Sequence, residues 1–391
     1  MRARSAPRRG HRGLSLVEIL VGVAIGLIGL VAIFQAVATW TKHSQTTSSG
    51  SDAQVAGTLA LFSIERDLKQ AGHGFGRATT PVMGCDVAVA DLTPARAFSF
   101  GLRPVEIAAS AGGAPDQINV LYGNSSFYGE ESAFVNSTTT TKTLARGGGF
   151  KRGDLVVAAF SAGASAASAN CQLLEINQEL PDLVTVGHTG AAYPSFYAAS
   201  GAPNVTPRFN SAASSPAAGG TIYDLGPQPV RNTWEIANNR TLVKRDLIGA
   251  AGGLAQQEVA DGVINLKAEY GYDTDNNGQI AAAEWMATLP PTPDWKRVLA
   301  IRVAVLVRSR QFEHGVDTGA SAPLAPTPSA ANPQYFADTP PAKTFLMTNL
   351  DGTTDSFSDT DAVPNNWRFY RYRVYERVIP LRNMLWGNYP S

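Results

Sequence analysis

The chain has 391 residues, 44% hydrophobic, 9% aromatic and only 16% charged, with 32 basic and 32 acidic side chains and a formal net charge of zero. That length and apolar share can bury a sizeable core, and the abundance of Gly, Ala, Ser and Thr over charge reads as an exported globular protein with long loops. The charge balance argues against a general nucleic-acid binder, and five scattered histidines offer no zinc-ligand spacing.

Residues 1 to 13 carry Arg2, Arg4, Arg8, Arg9 and Arg12 and no acid, a flank of the kind kept on the cytoplasmic side of a membrane. Its removal takes five of the 32 basic side chains and none of the 32 acidic ones, so the remaining chain carries about −5. The next run, GLSLVEILVGVAIGLIGLVAIFQAVATWT over 13–41, has one carboxylate, Glu18, and no further charge before Lys42. At ~1.5 Å per residue, a helix from Ile19 to Thr41 crosses a hydrocarbon core of roughly 30 Å. A secretory signal would have a shorter apolar core followed by a small-x-small cleavage site. The residues around Thr39, Trp40 and Thr41 supply none, so any processing site is expected before the apolar run.

A lone carboxylate on a lipid-facing helix is costly unless it pairs. Glu18 therefore reads as an assembly residue that meets the α-amine of a neighbouring subunit in a helical stack; the plainer alternative is an anchor whose Glu18 lies near the interface. Gly22, Gly26 and Gly29 fall close to one helix face and permit tight helix contact, although glycine is common in membrane helices anyway.

The residues Gly13-Leu14-Ser15-Leu16-Val17-Glu18 resemble the prepilin, or class III, signal. The resemblance implies cleavage between Gly13 and Leu14 by a prepilin peptidase, N-methylation of Leu14, and Glu18 as the fifth mature residue. Leu14 stands where the family more often has Phe. Beyond Trp40 the sequence is polar through Ser44 to Ser51, then amphipathic, with Val55, Leu59, Phe62, Ile64 and Leu68 following a helical period. The helix is expected to run to Ala71 and to stop at Gly72 and Gly74. The segment from Glu65 to Gly72 resembles the end of the first helix in PilW-type minor pilins.

From Thr79 onward, short apolar stretches divided by Gly, Pro, Asn and Ser predict β structure, with strands at Gln117–Tyr122, Asp154–Ala159, Cys171–Ile176 and Asp182–Val186. Cys85 and Cys171 both lie beyond the apolar helix, where an oxidising compartment would let them pair. Such a bond closes a loop of about 86 residues, worth ~2–4 kcal/mol in the chain-entropy picture; two free buried thiols are the alternative. Gly147-Gly148-Gly149 lacks the Lys-Ser/Thr of a phosphate loop.

The segment from Asp273 to Glu284 fits the spacing of a calcium loop. Asp273 and Asp275 take the first and third places, Asn277 the fifth, and Gly278 the sharp turn; Gln279 offers its backbone carbonyl and Glu284 a bidentate carboxylate at the twelfth place. Ile264, Leu266, Ala268 and Tyr270 alternate ahead of it, so the loop is expected to follow a strand rather than a helix. The alternative is a polar turn whose acids are merely solvated.

In Arg297 to Arg310, Leu299, Ile301, Val303, Val305 and Val307 share one face, expected to pack on the stalk helix, and Arg302, Arg308 and Arg310 share the other. Gly319 to Lys343, rich in Pro and Ala, reads as a surface loop. The ending, Trp367 to Val378 followed by Leu381-Arg382-Asn383, and the strand at Leu306 to Ser309 resemble the carboxyl-terminal part of PilW-type proteins. Arginines interleaved with aromatics can also bind single-stranded nucleic acid by stacking, but a half-buried edge strand accounts for them equally.

No nucleophile elbow and no His-Glu-x-x-His motif is present, so no enzyme is expected. The resemblance implies an α+β, type IV pilin-like fold. A leader over 1–13 precedes a membrane or filament-core half-helix over 14–41, an amphipathic half over 42–72 and a β-rich domain over 73–391. It implies a minor pilin, stored as a single-pass inner-membrane protein with a periplasmic domain, then carried to a cell-surface pilus that serves adhesion and twitching motility. There it would help to start assembly at or near the tip with other minor pilins, the major pilin and a tip adhesin. Calcium is the cofactor expected. The alternatives are a J-like minor pseudopilin of a type II secretion system, for which the chain is long, and a nucleic-acid receptor of a DNA-uptake pilus.

Overall fold

A computed structural model describes residues 15–78, 82–93, 95–111, 114–126, 131–147, 149–160, 171–180, 182, 184–210, 219–237, 240–249, 255–309, 343–348, 354–359 and 372–387. Gly13 and Leu14, Arg310, nearly all of the Pro/Ala-rich stretch, and the start of the aromatic-arginine run lie outside the described residues.

One helix, α1 (Leu16–Leu68), runs for 53 residues. Its first part, Leu16 to Thr41, is long and apolar enough to cross a membrane, and none of it is buried against the rest of the chain. In its second part Ala53, Ala60, Leu61, Ile64 and Leu68 recur at helical spacing and are buried. The helix ends at Leu68, before the expected Ala71, because the chain has already begun to turn: Gly72 and Gly74 take φ of +79° and +91°, the left-handed region that a side chain disfavours.

Strands follow in chain order: β1 (Asp86–Leu92), β2 (Ala95–Gly101), β3 (Val105–Ala108), β4 (Gln117–Tyr122), β5 (Ser132–Ser137), β6 (Thr141–Leu144), β7 (Leu155–Phe160), β8 (Cys171–Glu175), β9 (Gln178–Glu179) and β10 (Thr185–Gly187). After them come β11 (Gly220–Gly226), β12 (Val230–Ala237), β13 (Thr241–Asp246), β14 (Gln257–Asp261), β15 (Val263–Tyr272), β16 (Trp285–Met286) and β17 (Val298–Arg308). The last are β18 (Lys343–Thr348), β19 (Thr354–Asp359) and β20 (Tyr372–Pro380), before a short helix α2 (Arg382–Gly387). They form a nine-stranded sheet in the order β2-β1-β8-β7-β11-β5-β6-β10-β9, a five-stranded sheet β14-β13-β12-β4-β3, a four-stranded sheet β16-β15-β17-β20 and the hairpin β18-β19. All recorded pairings are antiparallel except β1 with β8. The expected strand at Asp182–Val186 is shifted to β10, because the Asp182 carboxylate accepts hydrogen bonds from the Val184 and Thr185 amides and so caps a turn.

The parallel register that sets Val87 opposite Cys171 brings Cys85 beside it, and the two cysteines form a disulfide across 86 residues of chain. The main core joins Ala60, Leu61, Ile64 and Leu68 of α1 to Ile301, Val303, Val305 and Val307 of β17, as the alternation in that strand predicts. The other face of β17 is not solvated, however, for all eleven residues of the strand are buried. Arg302 is neutralised there by Glu269 of β15 and lies 5.2 Å from the centroid of the Trp285 ring. In the four-stranded sheet β20 is an outer strand, half-buried, with Arg373 and Arg377 exposed; Arg377 pairs with Glu65 of α1 and ties the last strand to the stalk.

Candidate functional site

Two regions concentrate the groups that composition alone does not explain. The first is the stalk. Glu18 sits in the first turn of α1, where its charge complements the partial positive charge of the helix end, and it is the one acid between Leu16 and Thr41. Around it Leu16 is 74% exposed, and at the far end of the run Trp40 is 77% exposed. Among the described residues no hydrogen bond or ion pair satisfies Glu18 from within the chain. Val55, Leu59 and Phe62 continue an exposed apolar stripe down the helix, away from the face that carries Ala60, Ile64 and Leu68. A helix that offers this much apolar surface to nothing among the described residues is built to be covered by lipid or by other helices.

At the lower end of the stalk, Asp67 is buried and holds the helix to the five-stranded sheet. Its carboxylate accepts hydrogen bonds from Asn232 Nδ2 at 2.6 Å, Trp234 Nε1 at 3.0 Å and the Tyr122 hydroxyl at 3.2 Å. Burial, and then the charge of Asp67, push the Tyr122 hydroxyl above its ordinary range. Sequence reasoning missed this seat. Its one signal was a charged residue wedged between Ile64 and Leu68 on the apolar face of the helix.

The second region is the loop after β15. It follows a strand, as expected, and closes on a 3-10 turn at Ala282–Glu284 rather than on a helix. Asp273, Asp275 and Glu284 bring carboxylate oxygens to within 4.8 Å of one another, and Asp273 and Glu284 are buried. Asn277 stands next to Asp275, with Nδ2 2.8 Å from its Oδ2, and the Gln279 amide donates to Asn277 Oδ1 at 2.7 Å. The turn needs two left-handed residues, Asn276 at φ 60° and Gly278 at φ 81°; asparagine and glycine tolerate that region best. Gly278 N donates to Asp273 Oδ2, while Thr274 and the Ala281 amide donate to Glu284. The Thr274 hydroxyl and then the Ala281 amide hold the Glu284 carboxyl below its ordinary range. Arg297 reaches this loop through the Thr274 carbonyl. The result is an all-oxygen donor set with converging negative charge, a set that suits a hard divalent cation.

The structure thus brings Asp273, Asp275, Asn277 and Glu284 together with Gln279 beside them, joins Cys85 to Cys171, and leaves Glu18 apart on the stalk.

Comparison with known families gives two findings. Residues 8–34 match the prokaryotic N-terminal methylation motif, which spans Gly13, Leu14 and Glu18. Residues 232–383 match the type IV pilus-assembly protein W, PilW; that stretch holds the acidic loop, the whole four-stranded sheet and the Leu381-Arg382-Asn383 ending. Comparison with curated proteins and with solved structures gave no match. A methylation-type signal ahead of an uncovered apolar helix, and a PilW-type sheet packed on the other end of that helix, together support a PilW-type, prepilin-like protein related to the type IV pilus.

Proposed function

We propose that the chain is a minor pilin: stored in the inner membrane with its β domain in the periplasm, cut after Gly13 by prepilin peptidase, and carried into a type IV pilus. There it sits at or near the tip and helps to start assembly with other minor pilins, the major pilin and a tip adhesin. The observation that carries this reading is the uncovered helix from Leu16 to Thr41 with Glu18 as its single acid. In a filament that acid has a partner of opposite sign, the methylated α-amine of a neighbouring Leu14, and both charges are removed from lipid together. The experiment is a pair of variants in the native host. Gly13→Leu should leave an uncut, membrane-held precursor. Glu18→Ala should be cut normally yet fail to support piliation. Unchanged pili in the Glu18→Ala strain would refute the role given to Glu18. A defect in protein secretion with normal pili would replace the reading by a type II secretion pseudopilin.

The same proposal assigns calcium to the loop, with ligands from Asp273, Asp275, Asn277, the Gln279 carbonyl and Glu284. The charge and all-oxygen character of the set support it. Its place is structural, since β16 leaves the loop directly and pairs with β15 at Tyr270 and Gly271.

A further inference from the structure

Between the nine-stranded and the five-stranded sheets lies an open cleft of about 550 Å³. That volume suits a small ligand rather than a single water. One wall carries Tyr193, Tyr197 and Phe209; the other carries Pro227, Gln228 and Asp246. Tyr197 is 44% exposed, yet its ring is fixed, because its hydroxyl donates to Asp154 and its amide to Ser195 Oγ. Phe196 meets it edge to face with ring centroids 5.3 Å apart, but it lies outside the cleft lining, and Lys151 Nζ stands 5.5 Å from the centroid of its ring. The held, solvent-facing ring of Tyr197 is a platform that loses little entropy when a ligand covers it.

The charges in the cleft define what the platform can take. The one cation, Arg208, is spent on Asp91 through two contacts of 2.7 Å and on the carbonyls of Ile248 and Gly249. Glu175 is occupied by the Tyr193 hydroxyl and the Arg208 amide. Asp246 Oδ1 accepts from the Arg231 and Ile248 amides, and among the described residues nothing donates to its Oδ2. Gln228 is exposed, with its amide group at the rim. The cleft therefore offers apolar faces, a free carboxylate oxygen and an amide, with no uncompensated positive charge. The strands around it, β7, β8, β12 and β13, each have neighbours on both sides, so an extended peptide finds no ladder to join.

We propose that this cleft binds a neutral or amino-sugar oligosaccharide, one of whose C–H faces stacks on Tyr197 while its hydroxyls reach Asp246 and Gln228. Beyond Tyr193 and Pro194 a second depression of about 650 Å³ continues the surface and gives room for further sugar units. The binding holds whether or not the chain enters a filament, so it is tested apart from that reading.

The test is calorimetric titration of the full chain, purified in a non-glycosidic detergent, with chitotetraose, cellotetraose and an oligogalacturonate of the same length. Saturable binding of chitotetraose or cellotetraose is expected, with none of the acidic sugar. Tyr197→Ala and Gln228→Ala should each weaken it roughly tenfold. Gln228 is exposed, so its variant reads the site without disturbing the fold. The proposal is overturned if neither neutral nor amino sugar binds, if the acidic sugar binds as tightly, or if both variants bind like the parent chain.

Discussion

The indole Nε1 of Trp234 donates to the carboxylate of Asp67 at 3.0 Å, and through that contact the centre of the five-stranded sheet holds the end of the stalk helix. Trp234 is among the largest fully buried side chains of the protein, so the bond is formed where water cannot replace it. Asp67→Ala strands two buried donors and the half-buried Tyr122 hydroxyl at once and is expected to cost about 2–4 kcal/mol in urea-induced unfolding, with Asp67→Asn costing less. A loss below about 1 kcal/mol for the alanine variant would mean that the stalk is seated by apolar packing alone.

Gly57 of α1 lies under the ring of Tyr375 of β20, and a methyl group at that position would run into the ring. Glycine inside a helix normally costs ~1 kcal/mol relative to alanine, so Gly57→Ala should stabilise if the helix were free. The contact with Tyr375 reverses the sign: a net loss of about 1–3 kcal/mol is expected from the forced displacement of the ring. Thermal unfolding of Gly57→Ala, Tyr375→Ala and the double variant checks this. In the double variant the glycine substitution should add no further loss, and an unchanged additive penalty would argue against the contact.

Much of this architecture is legible in the sequence where one residue type at one spacing has one physical cause. The apolar run with Glu18 alone defines the stalk, the alternation from Leu299 to Val307 finds the strand under the helix, and Asp273 to Glu284 names a loop whose carboxylates do converge. What was not legible depends on distant partners. Asp67 is a charge in an apolar period until Trp234 and Asn232, more than 160 residues away, are set against it. Likewise, β11 sends Ile222 into one core and Tyr223 and Leu225 into the other, so it shows no alternation of apolar and polar residues. The two-sided burial of β17 required knowing that Glu269 would neutralise Arg302.

The acidic loop gives a thermodynamic test. A cation that binds the folded chain only, present at about 100 times its dissociation constant, should raise unfolding free energy by ~2.7 kcal/mol. Calcium should therefore raise the thermal midpoint over a chelated sample, magnesium should do so less, and Asp273→Ala should remove the difference. A midpoint that ignores calcium would reduce the loop to a hydrogen-bonded turn, in which Gly278 N and Asn277 N are sufficient partners for Asp273.

Asp224 sets the expected pH dependence. Burial, and then the charge of Asp154, push its carboxyl up to about 6 from an ordinary 3.8, against the opposing hydrogen bonds from the Ser125 hydroxyl and the Gly226 amide. The folded chain therefore binds this proton more tightly than the unfolded chain does. Stability from this group is full below the unfolded value, declines as pH rises from about 4 to about 6, and stays low above that. Asp154, also raised by burial, acts in the same direction. Asp224→Asn keeps an acceptor for Ser125 without the charge, so it should stabilise the protein at pH 7 by roughly 2–3 kcal/mol and flatten the decline between pH 4 and 6. Unfolding measured across that range decides it: a parent and a variant with parallel pH profiles would show that Asp224 is ionised at no cost and that the buried pair is compensated elsewhere.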